Sequence, residues 1–78
     1  MEIKPRKDPS ETMGETAVAD IIIHKDDETR GANLCVLLCV DKKYRIATIY
    51  DTVQLDADQL RWLANVVDEF NRQGKVVV

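Results

Sequence analysis

The sequence predicts an α+β domain in which a small antiparallel sheet of three strands, or four, is followed by one C-terminal amphipathic helix. Three observations favour this β-β-β-α order. Runs rich in β-branched and apolar residues fill the middle of the chain. The connection between the last two runs is short enough to require a tight antiparallel turn. A helix cap and an apolar stripe with helical spacing come last.

The predicted strands are the runs at residues 17–25, 33–41 and 44–55. An acidic segment with one glycine, residues 26–32, separates the first two runs, whereas only Lys42 and Lys43 separate the last two. A gap of about two residues is typical of a β-hairpin. The second and third strands should therefore lie side by side and antiparallel.

The segment after residue 55 has the start and stop signals of a helix. Asp56 is suited to the N-cap, and Gln59 is placed to hydrogen-bond back to the backbone of that cap. Gly74 is a suitable C-terminal stop. Lys75 and the valines at 76–78 are candidates for a short fourth strand at the edge of the sheet, and frayed terminal residues are the alternative. The predicted buried stripe of the helix consists of Leu60, Leu63, Ala64, Val67 and Phe70.

The chain has room for one domain, because it has 78 residues. Residues 1–15 are polar, contain both prolines and lack apolar periodicity, so we expect a flexible N-terminal arm there and a folded domain over residues 16–78. A domain of this size buries only about 60% of its unfolded surface. Association with a second copy or with a partner would add to that burial.

Composition narrows the class of protein. No apolar run reaches the roughly 20 residues of a membrane-spanning helix, and the start of the chain is polar, unlike a signal peptide, so we expect a cytoplasmic protein. The net charge of −3 disfavours a dedicated nucleic-acid binder, since Lys and Arg supply most non-specific affinity for phosphate.

The predicted strands carry apolar residues on both faces. In the middle run Leu34 and Val36 alternate with Cys35, Leu37 and Cys39, and one helix can cover only one face of a sheet. The uncovered apolar face predicts a homodimer with Leu37, Cys35 and Cys39 at its interface. A different protein partner, the N-terminal arm folded over the sheet, or a strong twist of the strands are the alternatives.

Other side chains are candidates for contact with a protein partner. Trp62 lies roughly 130° around the helical wheel from the predicted stripe, with Val66 beside it, and Trp is enriched at binding hot spots. Packing of Trp62 over the edge of the sheet is the competing interpretation. The candidate partner-binding residues are Trp62, Val66, Tyr44, Tyr50 and the acidic cluster Asp26, Asp27 and Glu28.

The sequence offers no set of catalytic or metal-binding residues. Cys35 and Cys39 are four apart, so on one strand their Cα atoms lie about 13 Å apart, too far for a disulfide. His24 is the single histidine, whereas tetrahedral zinc takes four ligands. No phosphate-binding glycine loop or nucleophile turn is present. We therefore expect neither an enzyme nor a cofactor or metal.

The segment 53–63, VQLDADQLRWL, continued by Val67, Glu69 and Phe70, resembles the strand-to-helix segment of the positive cofactor four family, transcriptional coactivators that bind single-stranded DNA. The resemblance implies a curved antiparallel sheet followed by a C-terminal helix, a dimer, and single-stranded DNA as ligand. That family has four strands, whereas three runs are counted here. The candidate nucleic-acid contacts under this resemblance are Lys42, Lys43, Arg45, Tyr44 and Tyr50.

Two classes of function follow from the sequence. The preferred hypothesis is a non-catalytic protein-binding regulator or inhibitor that acts as a homodimer, by analogy with the short acidic accessory proteins encoded by phages and mobile elements. The alternative hypothesis is a single-stranded nucleic-acid-binding accessory protein in transcription or replication.

Overall fold

The computed structural model of the chain describes residues 1–23, 34–48 and 54–77. These residues form four strands and one helix, in the order β1 (Glu2–Thr12), β2 (Glu15–Ile22), β3 (Leu34–Leu38), β4 (Tyr44–Thr48) and α1 (Ala57–Gln73). Each strand pairs antiparallel with the next, so the order in the sheet is the order in the chain. The predicted α+β class, an antiparallel sheet followed by one helix, is confirmed, with four strands.

The first strand corrects the prediction of a flexible arm over residues 1–15, because residues 2–5 and 10–12 pair with β2 along the edge of the sheet. The cause is a tight turn. Met13 and Gly14 both have positive φ, 53° and 82°, as the two central residues of a type I′ hairpin turn require. Ile3 of this strand packs against the hydrophobic core, which the arm was not expected to do.

The middle of β1 is irregular. Five residue steps lead from Pro5 to Ser10, whereas only two lead from Ala19 to Ala17 on β2, so three additional residues of β1 bulge out of the ladder. Pro9 lies in this bulge and Pro5 lies next to it. Proline removes a ladder donor and is tolerated at edges and bulges, which explains how a strand with this composition forms.

The predicted hairpin between the last two strands is confirmed, and its turn is centred on residues 40–42. The Cys39 N–H donates to the Lys43 carbonyl at 3.0 Å, and the Lys42 N–H donates to the Cys39 carbonyl at 3.0 Å. Lys42 has a φ of 69°, the left-handed conformation that ends such a three-residue turn. β3 therefore ends at Leu38 and does not continue to residue 41 as predicted.

The helix begins and ends as predicted. The Asp56 side chain accepts from the Gln59 N–H at 2.8 Å, and the Gln59 side chain accepts from the Asp56 N–H at 2.9 Å, which completes a capping box. Gly74 has a φ of 72°, and its N–H donates to the Phe70 carbonyl at 2.8 Å. These bonds satisfy backbone groups that a helix end leaves unpaired.

The hydrophobic core lies between the helix and one face of the sheet, called the front face below. The largest fully buried side chains are Phe70, Ile21 and Val36. Residues of the front face form one hydrophobic cluster with Leu63 and Phe70 of the helix. These front-face residues are Ala19, Ile21, Ile23, Leu34, Val36 and Tyr44.

The buried side of the helix differs from the predicted stripe. Leu60 is 54% exposed and Ala64 is exposed, whereas Trp62 and Val66 are half-buried and pack against the core. The reason is β1, since Ile3 and the C-terminal tail extend the packed surface on the Trp62 side of the helix. Val76 and Val77 of that tail pack against the core without forming the predicted strand, and Val78 lies outside the described residues.

Candidate functional site

The face of the sheet opposite the helix, called the rear face below, is not covered by any described strand or helix. Side chains that are paired across neighbouring strands point to the same side of a sheet. The register therefore places Ala47 beside Cys35 and Ala17 beside Leu37. The rear face comprises the apolar residues Ala17, Ile22, Cys35, Leu37 and Ala47 and the charged residues Lys4, Arg6, Asp20 and Arg45.

The apolar part of the rear face is narrower than the sequence predicted. Cys35 is only 8% exposed and Leu37 is half-buried. Small side chains at the centre of this face, including Ala17 and Ala47, project little beyond the backbone, and the stem of Arg6 can cover apolar surface beside them. The exposed large apolar side chains of the described residues lie elsewhere, at Met1, Met13, Val40 and Leu60.

One ion pair borders this apolar strip on the β1 side. The Arg6 Nη2 donates to the Asp20 Oδ1 at 2.7 Å, and its Nε lies 3.1 Å and 3.2 Å from the two carboxylate oxygens. A further bond to the Ser10 hydroxyl at 3.1 Å holds the guanidinium in place. The hydrogen bonds to Asp20 raise the pKa of Arg6 above its usual value. The pair is therefore a fixed part of the surface.

A second ion pair borders the strip at the turn between β3 and β4. The Arg45 guanidinium donates to both carboxylate oxygens of Asp41, at 3.0 Å and 2.7 Å, and the Lys43 N–H donates to the same carboxylate at 3.1 Å. These bonds lower the pKa of Asp41 to about 2. Lys42 and Lys43 are exposed, and neither makes an ion pair within the described part of the chain.

The two cysteines named for the dimer interface differ in position and in exposure to solvent, since Cys35 lies in β3 and Cys39 follows the end of that strand. Cys35 is buried in the rear face, and this burial raises the pKa of its thiol, although the nearby Arg6 guanidinium opposes the shift. Cys39 is half-buried beside the turn. Both thiols are free. A buried protonated thiol behaves as a small apolar side chain, so Cys35 contributes packing and little contact area.

Tyr44 is not a surface residue, which corrects its assignment to partner or nucleic-acid contact. It is 7% exposed, and its ring meets that of Phe70 edge-on at a centroid distance of 6.0 Å. Its N–H donates to the Asn71 Oδ1 at 2.7 Å, and the Asn71 side-chain amide donates back to the Tyr44 carbonyl at 3.3 Å. Its hydroxyl donates to the Gly74 carbonyl at 3.3 Å. Tyr44 therefore anchors the end of the helix.

Trp62 and Val66 are also engaged within the protein, as the competing interpretation of Trp62 expected. Both side chains extend from the helix and pack against the core. Beside them lies a shallow apolar groove of about 200 Å³ between the helix, β1 and the C-terminal tail. Each retains a half-exposed side towards that groove. The groove is lined by Ile3, Trp62, Asn65, Val66, Glu69, Phe70 and Val77.

The remaining candidates cannot be placed on any of these surfaces. The acidic cluster Asp26, Asp27 and Glu28, together with Tyr50 and His24, lies outside the described residues. The sequence did not predict that the turn between β1 and β2 meets the turn between β3 and β4 at one end of the sheet. The two turns lie so close together that a Cβ added at Gly14 would be 2.9 Å from the Val40 side chain. The signal was Gly14 itself, a turn residue between two polar segments.

Within the described residues, three or more His, Cys, Asp or Glu side chains nowhere gather as a metal site would require. In the same residues, no helix has the length and apolar character needed to cross a lipid bilayer. Comparison of the chain with models of protein families, with curated proteins and with solved structures gives no match.

Proposed function

We propose that this chain is a non-catalytic protein-binding regulator or inhibitor that acts as a homodimer and holds its partner on the rear face of its sheet. The observation that carries the proposal is the apolar strip around Leu37 and Ala47, bordered by two Arg–Asp ion pairs on a face that no described element covers. An apolar centre with a polar rim is the usual composition of a protein interface.

The shape of the surface supports a protein partner more than a small molecule. Small ligands bind in concave sites that bury most of their surface, whereas the rear face is one side of a sheet. The border charges also favour a protein: Arg6 and Arg45 are already held by carboxylates, so a partner meets an ordered surface without having to immobilise them.

The test is a position-specific photo-crosslink. The chain is prepared with benzoylphenylalanine at position 22, on the rear face, or at position 61, where Arg61 lies exposed on the helix, and is irradiated in extract of the source cells. A discrete crosslinked protein is expected from position 22 and not from position 61. Excess unlabelled wild type should suppress that band, whereas excess Leu37→Glu should not.

Each outcome of this experiment bears on the proposal. Equal crosslinking from both positions, or equal competition by wild type and Leu37→Glu, would contradict a binding surface on the rear face. Circular dichroism of Leu37→Glu is the control for folding. Should that variant unfold, Leu37→Gln serves as the milder competitor, with the same expectation.

The second candidate function is binding of single-stranded nucleic acid. It is favoured by one observation, that the chain has four antiparallel strands followed by a helix, which is the fold implied by the resemblance to the positive cofactor four family. The contacts named for it support it less, because Tyr44 is buried and Arg45 is paired with Asp41. Lys42 and Lys43 remain exposed at the hairpin turn.

A fluorescence titration with a labelled single-stranded oligonucleotide separates the two candidates. Nucleic-acid binding predicts micromolar or tighter affinity that weakens steeply as salt is added, since phosphate contacts release counterions. Replacement of both Lys42 and Lys43 by Gln should then reduce the salt dependence. No binding at low salt would remove this candidate.

A further inference from the structure

The two edges of the sheet differ in how well they can accept another strand. β1 carries Pro5, Pro9 and a bulge of three residues, features that obstruct pairing along an edge. β4 is a regular strand without proline, glycine or bulge, and it forms the opposite edge. An unobstructed edge is a template for β-strand addition.

The hairpin ladder determines which groups of β4 point outward. Cys39 and Lys43 form a hydrogen-bonded pair, and hydrogen-bonded and non-hydrogen-bonded pairs alternate along an antiparallel ladder. The backbone groups of Tyr44, Ile46 and Thr48 therefore point away from β3. The Asn71 side chain takes both the N–H and the C=O of Tyr44. The backbone N–H and C=O groups of Ile46 and Thr48 have no hydrogen-bond partner within the described residues.

These two free positions select one register for a second copy of the strand. Backbone hydrogen bonds between two copies form only where residues whose N–H and C=O point away from β3 lie opposite each other. A twofold axis at Ile46 would pair Thr48 with Tyr44 of the second copy, whose groups Asn71 already occupies. An axis at Thr48 would leave the free groups of Ile46 without a partner among the residues of β4, which ends at Thr48. An axis at Ala47 pairs Ile46 with Thr48 in both directions.

We infer that two copies of this chain join through β4 of each, antiparallel, with the twofold axis at Ala47, to form one continuous eight-stranded sheet. The inference rests on the homodimer in the proposed function and is independent of the partner's identity. Ala47 then faces Ala47 of the second copy across a non-hydrogen-bonded pair, with Cα atoms about 4.5 Å apart. Because alanine is small, the two rear faces meet without an obstruction and form one surface.

The first test removes the outward N–H of Thr48. Thr48 is exposed, and its N–H takes no part in the ladder with β3, so Thr48→Pro should block strand addition while β3 and β4 remain paired. Light scattering after size-exclusion chromatography should give twice the chain mass for wild type and for the matched control Thr48→Val, and the mass of one chain for Thr48→Pro. Circular dichroism verifies folding.

The second test measures the register directly and does not depend on the proline variant. Cys35 lies opposite Ala47 within one chain, so both native thiols are first replaced, by Cys35→Ala and Cys39→Ser. In that background Ala47→Cys should form a disulfide between two chains under mild oxidation, seen as a dimer band on a non-reducing gel. Arg45→Cys should not, because with the axis at Ala47 the two residues at position 45 lie four positions apart along the paired strands, about 13 Å at about 3.3 Å per residue.

The outcomes distinguish this inference from the proposed function. A monomeric wild type at high concentration would overturn both the edge dimer and the homodimer. A dimer that persists in Thr48→Pro, without the Ala47→Cys crosslink but dissociated by Leu37→Glu, would overturn the β4 edge and leave a homodimer formed by the rear faces. Crosslinking of Arg45→Cys in preference to Ala47→Cys would overturn the register.

Discussion

The front and rear faces of the sheet are built mainly from the same three strands, β2, β3 and β4, and differ in what they do for the protein. On the front face Ile21 and Val36 are fully buried under the helix, against its Phe70 side chain, which is also fully buried. On the rear face Leu37 and Ala47 are half-buried and bordered by ion pairs. Stability is therefore concentrated on one side of the sheet, and the proposed function uses the other side.

The largest expected effect comes from truncation of a helix residue that packs on the front face. Phe70 is 1% exposed, and Phe70→Ala removes a ring that packs against Tyr44, so it should lower the free energy of unfolding by about 3–5 kcal/mol. Leu37→Ala on the rear face should cost about 1 kcal/mol, because that side chain is only partly removed from water. Urea denaturation followed by circular dichroism measures both.

A loss of that size can unfold a domain as small as this one, so Phe70→Leu is the companion variant with a smaller expected loss. Similar losses of stability for Leu37→Ala and Phe70→Ala would contradict this contrast between the two faces. That result would mean that the rear face is part of the core.

The next effect concerns the bond between the helix and the edge of the sheet. Asn71→Ala removes both hydrogen bonds to the Tyr44 backbone and should lower stability by about 1–2 kcal/mol. Asn65→Ala on the same helix is the matched control, because Asn65 is exposed and its side chain makes no hydrogen bond with another described residue. Thermal denaturation of the two variants provides the measurement. Equal melting temperatures would show that the Asn71 bonds are not formed in solution.

The helix shows which features of this fold are legible in the sequence. Asp56, Gln59 and Gly74 act over a few neighbouring residues, so their spacing alone predicted the capping box and the left-handed stop that the structure has. Alternation likewise placed Cys35 and Leu37 on the face opposite Leu34 and Val36, since a strand has a fixed period of two.

The first strand shows what the sequence does not reveal. Its prolines and charges resemble those of a disordered segment, yet the same residues suit an edge strand, and the choice is made by pairing with β2. The same omission affected the helix: because β1 was not expected, packing of Trp62 over the edge of the sheet was only the competing interpretation, although Trp62 does pack against the core. Met13 and Lys42 adopt left-handed turn conformations in which Gly or Asn is usual, so their residue types gave no signal.

A smaller effect comes from the ion pair on the rear face. Arg6 and Asp20 have side chains that are 28% and 25% exposed, so solvent screens them only in part. A double-mutant cycle with Arg6→Met and Asp20→Asn should give a coupling free energy of about 0.5–1 kcal/mol that decreases as salt is added. Zero coupling at low salt would mean that the pair borders the rear face without stabilising it.

The smallest effect on stability should come from Asp41, the other border of the rear face. Its carboxyl pKa is lowered to about 2 by hydrogen bonds from Arg45 and from the Lys43 N–H. Because the folded value lies below the unfolded one, the contribution is present above the ordinary Asp pKa of about 3.9 and is lost as the pH falls towards 2. Asp41 and Arg45 are largely exposed, so melting temperatures should barely register this loss. An NMR titration of the Asp41 carboxyl carbon measures its pKa directly. Arg45→Met should move the midpoint of that titration up towards the ordinary Asp value. Arg61→Met is the control: it removes a cation paired with Asp58 on the helix and should leave the Asp41 midpoint unchanged. An unchanged midpoint in Arg45→Met would remove this ion pair from the border of the rear face and leave only the Arg6 side ordered for a partner.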